Sequence, residues 1–452
     1  MLPMNDLTPA AVLPRRPDGQ PLRIGIDGFN LALDKGTGVA TYGRNLSHAL
    51  KRLGAHVDVL YGSAIRQDHD DLLKEVLFFD GPPPDANRWL KLARQGRSLL
   101  SGTRHQAFEV PVTGAVVTDA FRSRLPDFDR LLNVTKLFDR GHARHELLRS
   151  IQRVRIDPAP DLMHWTYPLP MRVDGVRNIY TLHDLVPLRL PYTTLDRKAS
   201  YFDLMTWIAR TADHIVTVSE ASRRDIIELL KVPPDRVTNT YQAVHMPRTL
   251  LERDEVEVED EVRGIFQLEP RDYFMFFGSI EPKKNIGRLI EAFLASGVGS
   301  QLVIVGARAW KSKAELKLLE SLPAGDRRVV QIEYLPFPML VSLIRCAKSV
   351  VFPSLYEGFG LPVLEAMMLG TPVLTANTSS LPEVAGDAAL KVNPYSVSEI
   401  GAALRALDTD EALRLRLSQA GRDQARLFDE AAYERRLANL YAELARQPLR
   451  AA

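Results

Sequence analysis

Pro353-Ser-Leu-Tyr-Glu-Gly-Phe-Gly-Leu-Pro-Val-Leu-Glu-Ala-Met367 is the stretch whose reading decides the architecture of this chain. The short apolar run Ser349-Val-Val-Phe352 before it reads as a buried strand. Pro362 sits where a first helical residue belongs, and helix-compatible Val-Leu-Glu-Ala-Met-Met follows. The order is therefore strand, glycine loop, helix N-terminus. Unsatisfied N–H groups at such a terminus attract anions, and Gly358 and Gly360 let a ligand approach the backbone closely. Glu357 in the loop and Glu365 on the first helical turn can face one pocket and accept hydrogen bonds from hydroxyl groups. An anion site flanked by two such carboxylates implies a sugar nucleotide.

Working outward, strand-like runs alternate with helical stretches in both halves, the pattern of an α/β protein with parallel sheets. The spacing predicts strands over 22–27, 56–61, 162–165, 177–182 and 214–218, with Ser219 capping a helix over 220–230. A second series covers 272–277, 301–305, 329–333, 349–352 and 372–376. At 452 residues two domains are expected. The boundaries fall at a disordered leader 1–21, an N-terminal unit 22–250, a C-terminal unit 251–428 and a last helix within 429–452. The alternation fades over 62–160, which reads as a basic insertion of helices and loops, and the acidic stretch 252–261 reads as the link between units.

Composition narrows the class. A net charge of +2 leaves no global footprint for nucleic acid. Cys346, the single cysteine, excludes an intrachain disulfide, suits a cytoplasmic setting and reads as core. No apolar run approaches the roughly 18 residues of a membrane-spanning helix. Segment 87–104 carries five basic residues and no acidic one around Trp89, which suits either an anionic membrane surface or packing on its own domain.

Other constellations sit at strand ends, where open parallel sheets bind ligands. Gly278-Ser-Ile-Glu-Pro-Lys-Lys-Asn285 places Lys283 and Lys284 just before a helix, as a diphosphate site requires. Paired lysines commonly form a solvated face, but the matching glycine loop favours the ligand reading. His183 and Asp184 end a strand and can face a cleft; a strand-end histidine is also commonly structural. Gly36-Thr37-Gly38 is a further glycine loop before a helix, with Asp27 and Thr41 nearby. Asp68-His69-Asp70-Asp71 suggests a metal but lies in a charged helical segment, so it reads as a solvated face.

Together these residues resemble the retaining glycosyltransferases of family 4, which have the two-domain GT-B fold, and especially bacterial mannosyltransferases of surface polysaccharide assembly. The resemblance rests on Glu357-x7-Glu365, Gly278…Lys284-Asn285, Thr217-Val-Ser-Glu-Ala-Ser222, Thr181-Leu-His-Asp-Leu-Val-Pro-Leu188 and the run from Ser379 to Ala389. It covers about 22–440 and is weakest over 62–160. It implies two Rossmann-like domains with parallel sheets facing an interdomain cleft, and a final helix that crosses back to the first domain. It also implies that Gly278, Ser279, Lys283 and Lys284 surround the donor diphosphate, and that the N–H groups near Phe359, Gly360 and Leu361 bind phosphate and sugar. By the same carry-over Glu357 meets the donor sugar, Glu365 the ribose, and His183 the transferred sugar. Gly36, Thr37 and Gly38 would close the site. Many members carry arginine where this chain has Ser279.

The activity so implied is transfer of a sugar, with mannose from GDP-mannose preferred, onto a polysaccharide or lipid-linked acceptor at the cytoplasmic face of the plasma membrane. No resident cofactor and no metal are expected, because Lys284 and the helix terminus carry the charge that develops on the leaving diphosphate. The alternatives are a UDP-sugar donor or a non-catalytic glycan-binding subunit. A dinucleotide oxidoreductase lacks the required Gly-x-Gly-x-x-Gly turn and acidic partner.

Overall fold

The computed structural model describes residues 12–31, 38–80, 102–118, 125–323 and 325–448. Two parallel sheets dominate it. In the N-terminal half the strand order is Val237–Asn239, His214–Thr217, Arg177–Thr181, Leu162–Trp165, Arg23–Asp27, His56–Tyr61, Arg130–Asn133 and Phe108–Glu109. Only the last pairing in that sheet is antiparallel. The C-terminal sheet runs Val329–Ile332, Gln301–Val305, Tyr273–Phe277, Ser349–Phe352, Val373–Ala376 and Leu390–Val392, all parallel. Crossover helices cover both faces, so the central strands read as continuous apolar runs. Tyr273–Phe277 is buried at every position.

The strand order positions the site. From Tyr273–Phe277 the chain builds outward through Gln301–Val305, then returns to pair Ser349–Phe352 on the other side. The loops after Tyr273–Phe277 and Ser349–Phe352 therefore flank the topological switch point, where a ligand crevice opens. Those loops are 278–285 and 353–360. Ser219 caps Glu220–Leu230, its side chain accepting from the Ser222 N–H. The helix Glu430–Arg446 lies against the N-terminal half: His164 Nδ1 and the Tyr441 hydroxyl are 2.6 Å apart, and Arg177 donates to the Gln447 carbonyl.

Three expectations need correction. The leader does not extend to residue 21: Leu13 is buried, its N–H donates to the Leu53 carbonyl, and Arg15 bridges Pro21. The buried leucine, the Arg16 N–H bond to the Gln20 carbonyl and the Arg16–Asp161 ion pair together hold that proline-containing turn. Region 62–160 is not a mere insertion, since Arg130–Asn133 is a strand of the main sheet beside His56–Tyr61. Its opening arginine hides it from an apolar-run reading, because Arg130 pairs with buried Asp58 at 2.7 Å. Two further strands of that region, Arg104–Gln106 and Gln152–Arg155, join Met171–Val173 in a small separate sheet. Finally, the helix after the glycine loop starts at Leu361, so Glu365 lies just beyond its first turn.

Candidate functional site

The loop 353–360 is held in shape by its own backbone and by two serines. Gly360 has φ 119°, a conformation that side-chain-bearing residues rarely adopt, and a Cβ there would lie 2.9 Å from Leu381. The Ser380 hydroxyl donates to the carbonyls of Glu357 and Phe359, and the Glu357 N–H donates to Ser379 Oγ. Among the described residues the N–H groups of Phe359, Gly360 and Leu361 have no hydrogen-bond partner. They open the helix Leu361–Met368, an arrangement that suits an anion.

The second loop docks onto the first. Asn285, at φ 62°, donates its amide to the carbonyls of Pro353 and Pro394, and the Leu355 N–H donates to the Lys283 carbonyl. This brings Lys284 Nζ to 2.6 Å from Glu357 Oε1 and 4.8 Å from the Phe352 ring centre. Lys283 Nζ lies 3.8 Å from both Glu357 Oε2 and Glu281 Oε1. Burial works against the Glu357 carboxylate, yet Lys284 and Lys283 together hold its pKa below the usual range. Burial also opposes the Lys283 charge, but Glu357, Asp184 and Glu281 outweigh it and raise the pKa. Ser279 donates to Glu281. The sequence alone has Glu357 open to a ligand and Lys284 on the diphosphate. In the structure those two groups hold each other, and Lys283 is the lysine that lines the cleft cavity.

Glu365 behaves differently. Its half-buried carboxylate has no hydrogen-bond partner among the described residues, and burial alone pushes its pKa up to about 7. It stands ready to accept from a hydroxyl.

The N-terminal half faces these loops closely. A Cβ on Gly358 would lie 2.8 Å from the His183 carbonyl and 3.0 Å from Asp184 Oδ2, so only glycine fits there without displacement. His183 Nε2–H donates to the Thr166 carbonyl at 2.9 Å, and its ring stands edge-on to Tyr42. Burial lowers the His183 pKa, so the ring is neutral near pH 7 and its Nδ1 is an acceptor. Gly38 opens the helix Gly38–Arg52 and faces Leu361, with 3.9 Å from a built Cβ to the leucine side chain. Gly36, Thr37 and residues 87–101 of the basic Trp89 segment lie outside the described residues.

Two contacts join the halves beside the site. Glu383 accepts from the N–H groups of Glu220 and Ala221, capping Glu220–Leu230 from across the cleft. The Tyr356 hydroxyl donates to Asp225, which also receives Arg189.

Other sequence candidates fall elsewhere. Asp70 caps the helix Asp71–Phe79, and Asp68 pairs with Arg66 on the surface. Cys346 is buried, and burial pushes its thiol up to about 11. Sequence reasoning missed Gly306: a Cβ there would strike the Gly278 carbonyl, so this glycine allows the loop 278–285 to turn. Its signal was present, as a glycine ending the strand run Gln-Leu-Val-Ile-Val.

Comparison with known proteins bears on the whole arrangement. The family model described as Glycosyltransferase Family 4 matches residues 36–246, and that described as Glycosyl transferases group 1 matches 258–424. The chain is 34% identical over 270 residues to the O-antigen chain mannosyltransferase B of Escherichia coli, covering 58% of this chain and 68% of that protein. It is 28% identical to the serotype-specific mannosyltransferase WbdA of Escherichia coli over 64% of this chain, but spans only 38% of that longer relative. Among solved structures, sucrose-phosphate synthase from Thermosynechococcus elongatus superposes with a TM-score of 0.63 at 18% identity, covering 94% of this chain and 99% of that one. That likeness establishes the two-domain GT-B fold.

Proposed function

This chain belongs to glycosyltransferase family 4, and on that premise we propose that it transfers a mannosyl residue from GDP-mannose, with retention, onto a polysaccharide or lipid-linked oligosaccharide. The mannosyltransferase names of both Escherichia coli relatives support the sugar. One observation carries the reading. At the switch point of the C-terminal sheet, Lys283, the Lys284–Glu357 pair and the free N–H edge at 359–361 converge opposite His183.

In the proposed reaction the donor diphosphate lies between Lys283 and the start of Leu361–Met368, whose charge and dipole are in place before the reaction begins. Glu365 accepts from ribose hydroxyls. Glu357 keeps one oxygen on Lys284 and offers the other to a donor-sugar hydroxyl. His183 Nδ1 accepts from the same sugar on its other side. The acceptor oxygen attacks the anomeric carbon on the face the diphosphate leaves. The carbon–oxygen bond to phosphate breaks with its electron pair on phosphate, and a phosphate oxygen takes the acceptor's proton. No enzyme nucleophile is assigned, since Glu357 is engaged by Lys284 and Asp184 Oδ1 accepts from the Val186 N–H. Lys283 and the helix terminus take the part a divalent cation would otherwise play.

Among the described residues no helix is long and apolar enough to cross a membrane. The proposal includes attachment to an anionic membrane surface through the basic segment 87–104. Equal sedimentation with neutral and anionic vesicles would count against that part.

The test of the reaction is transfer from a panel of GDP-mannose, UDP-glucose and UDP-N-acetylglucosamine onto lipid-linked glycan, with and without EDTA. Mannosyl transfer that survives EDTA is expected. Turnover of a UDP-sugar alone would reassign the donor, and no turnover with any of them would favour a non-catalytic subunit.

A further inference from the structure

The cleft holds a cavity of about 520 Å³ whose lining extends beyond Lys283 and His183. It is walled by Tyr167 and Tyr201 from the N-terminal half and by Trp310 from the C-terminal half. Each ring is fixed in place. Tyr167 stacks on Phe29 at 5.9 Å, the Tyr201 hydroxyl donates to the Asp184 carbonyl, and the Trp310 indole N–H donates to the Thr193 carbonyl at 2.8 Å. Three carboxylates, Asp184, Asp196 and Glu281, share the wall. Glu281 is 4% exposed, and its Oε2 has no hydrogen-bond partner among the described residues although it is buried. That oxygen is closed off from solvent and Oε1 takes the Ser279 hydroxyl, so the acceptor on this wall that a ligand hydroxyl reaches is the exposed Asp196.

The charge balance of this wall is informative. Among its described residues Lys283 is the one lysine or arginine, and that ammonium is already flanked by Glu281 and Glu357. Lys198, at the start of the adjoining helix Lys198–Thr211, turns its ammonium onto the carbonyls of Thr194 and Asp196 and is held there. Rigid aromatic faces with acceptor-only oxygens suit a sugar ring, which offers C–H faces to the rings and hydroxyls to the oxygens. With Lys283 taken by the donor diphosphate, the remaining carboxylates of the wall disfavour a second anion, a phosphate or a uronic acid carboxylate, on the sugar seated there.

We infer that this cavity seats the terminal residue of the acceptor glycan and selects an uncharged sugar, with Tyr167, Tyr201 and Trp310 as its platform and Asp196 as its hydroxyl acceptor. The inference rests on the glycosyltransferase reading above. It adds that charge at the acceptor terminus is a ground for rejection, and that Trp310, a residue of the donor-binding half, contributes to acceptor choice.

Ligand-observed saturation-transfer NMR on the full chain with GDP tests it, using methyl α-mannopyranoside, methyl α-glucopyranoside and mannose 6-phosphate as probes. The neutral glycosides should receive saturation and the phosphorylated sugar should not. Trp310→Ala and Asp196→Asn should each cut the neutral-sugar signal severalfold while the thermal shift caused by GDP persists. A phosphorylated sugar that binds as well as the neutral ones overturns the inference. So does a neutral-sugar signal that survives both substitutions. Absence of a GDP shift in the wild-type chain would instead count against the glycosyltransferase reading, so the two failures are distinguishable.

Discussion

Lys284 Nζ donates to Glu357 Oε1 across 2.6 Å, and this hydrogen bond ties together the two loops that flank the switch point of the C-terminal sheet. Both residues are buried, so neither charge can be taken away without stranding the other. Removing one member of such a pair typically costs about 3–5 kcal/mol, whereas replacing both with apolar groups can be neutral. Glu357→Ala should therefore abolish transfer and also lower the melting temperature. The double variant Lys284→Met/Glu357→Leu should regain most of that stability yet stay inactive. Thermal melts and transfer assays on the three proteins check this, and a single variant as stable as wild type would contradict the pairing.

Glu365 should impose a pH dependence on nucleotide binding. Its pKa is raised from 4.5 to about 7, so the folded state binds more protons than the unfolded state between those values. Stability from this group is therefore present at low pH and lost as pH rises through that window. Ribose hydroxyls favour the ionised carboxylate, so GDP should bind more tightly as pH rises from about 5.5 to 7.5. Calorimetric titration of wild type and Glu365→Gln across that range should show a steeper slope in wild type, the variant keeping only the slope from the terminal phosphate of GDP, which itself titrates at about pH 6.

His183 should act as a neutral group. Burial lowers its pKa, so protonation occurs below the ordinary value of 6.5. The acid limb of the transfer rate should then fall at lower pH than an unperturbed histidine would give. His183→Ala should reduce kcat about 2- to 10-fold, the worth of one neutral hydrogen bond, and leave GDP affinity nearly unchanged. An equal loss in GDP affinity would place His183 outside contact with the transferred sugar.

Glu383 should stabilise the closed arrangement of the halves. Its carboxylate receives two N–H groups at the start of Glu220–Leu230, both at 3.0 Å. Losing a helix cap costs about 0.5–2 kcal/mol, here exacted on the interface between domains. Glu383→Ala should give a larger radius of gyration by small-angle scattering and a raised KM for the donor. Unchanged scattering would mean that other interactions hold the halves closed without it.

The parts legible in the sequence were those with simple physical signatures. Strands such as Tyr273–Phe277 and Ser349–Phe352 are buried on both faces, and so appear as apolar runs bounded by glycine or proline loops. Arg130–Asn133 escaped because its arginine reaches a buried aspartate, a long-range pairing that local pattern does not show. The short side-sheet strands carry arginine, histidine and glutamine and have no apolar run at all. At the site, the glycines and the two glutamates were readable from the strand–loop–helix order. The locking of Glu357 onto Lys284 was not, because it depends on Asn285 docking one loop on the other. The aromatic wall of the cavity left no signal either, since Tyr167, Tyr201 and Trp310 come from separate segments brought together only by the fold.

The proposed mechanism turns on a lysine and a helix terminus holding the donor diphosphate without a metal, with Lys283 serving where Ser279 replaces the arginine of many family members. Isothermal titration of GDP into wild type and Lys283→Met, both in EDTA, tests it most directly. Wild type should bind in EDTA, and Lys283→Met should bind about ten- to a hundredfold more weakly, the effect of deleting one charge-assisted hydrogen bond. Equal affinities in the two proteins, or wild-type binding that vanishes in EDTA, would contradict it.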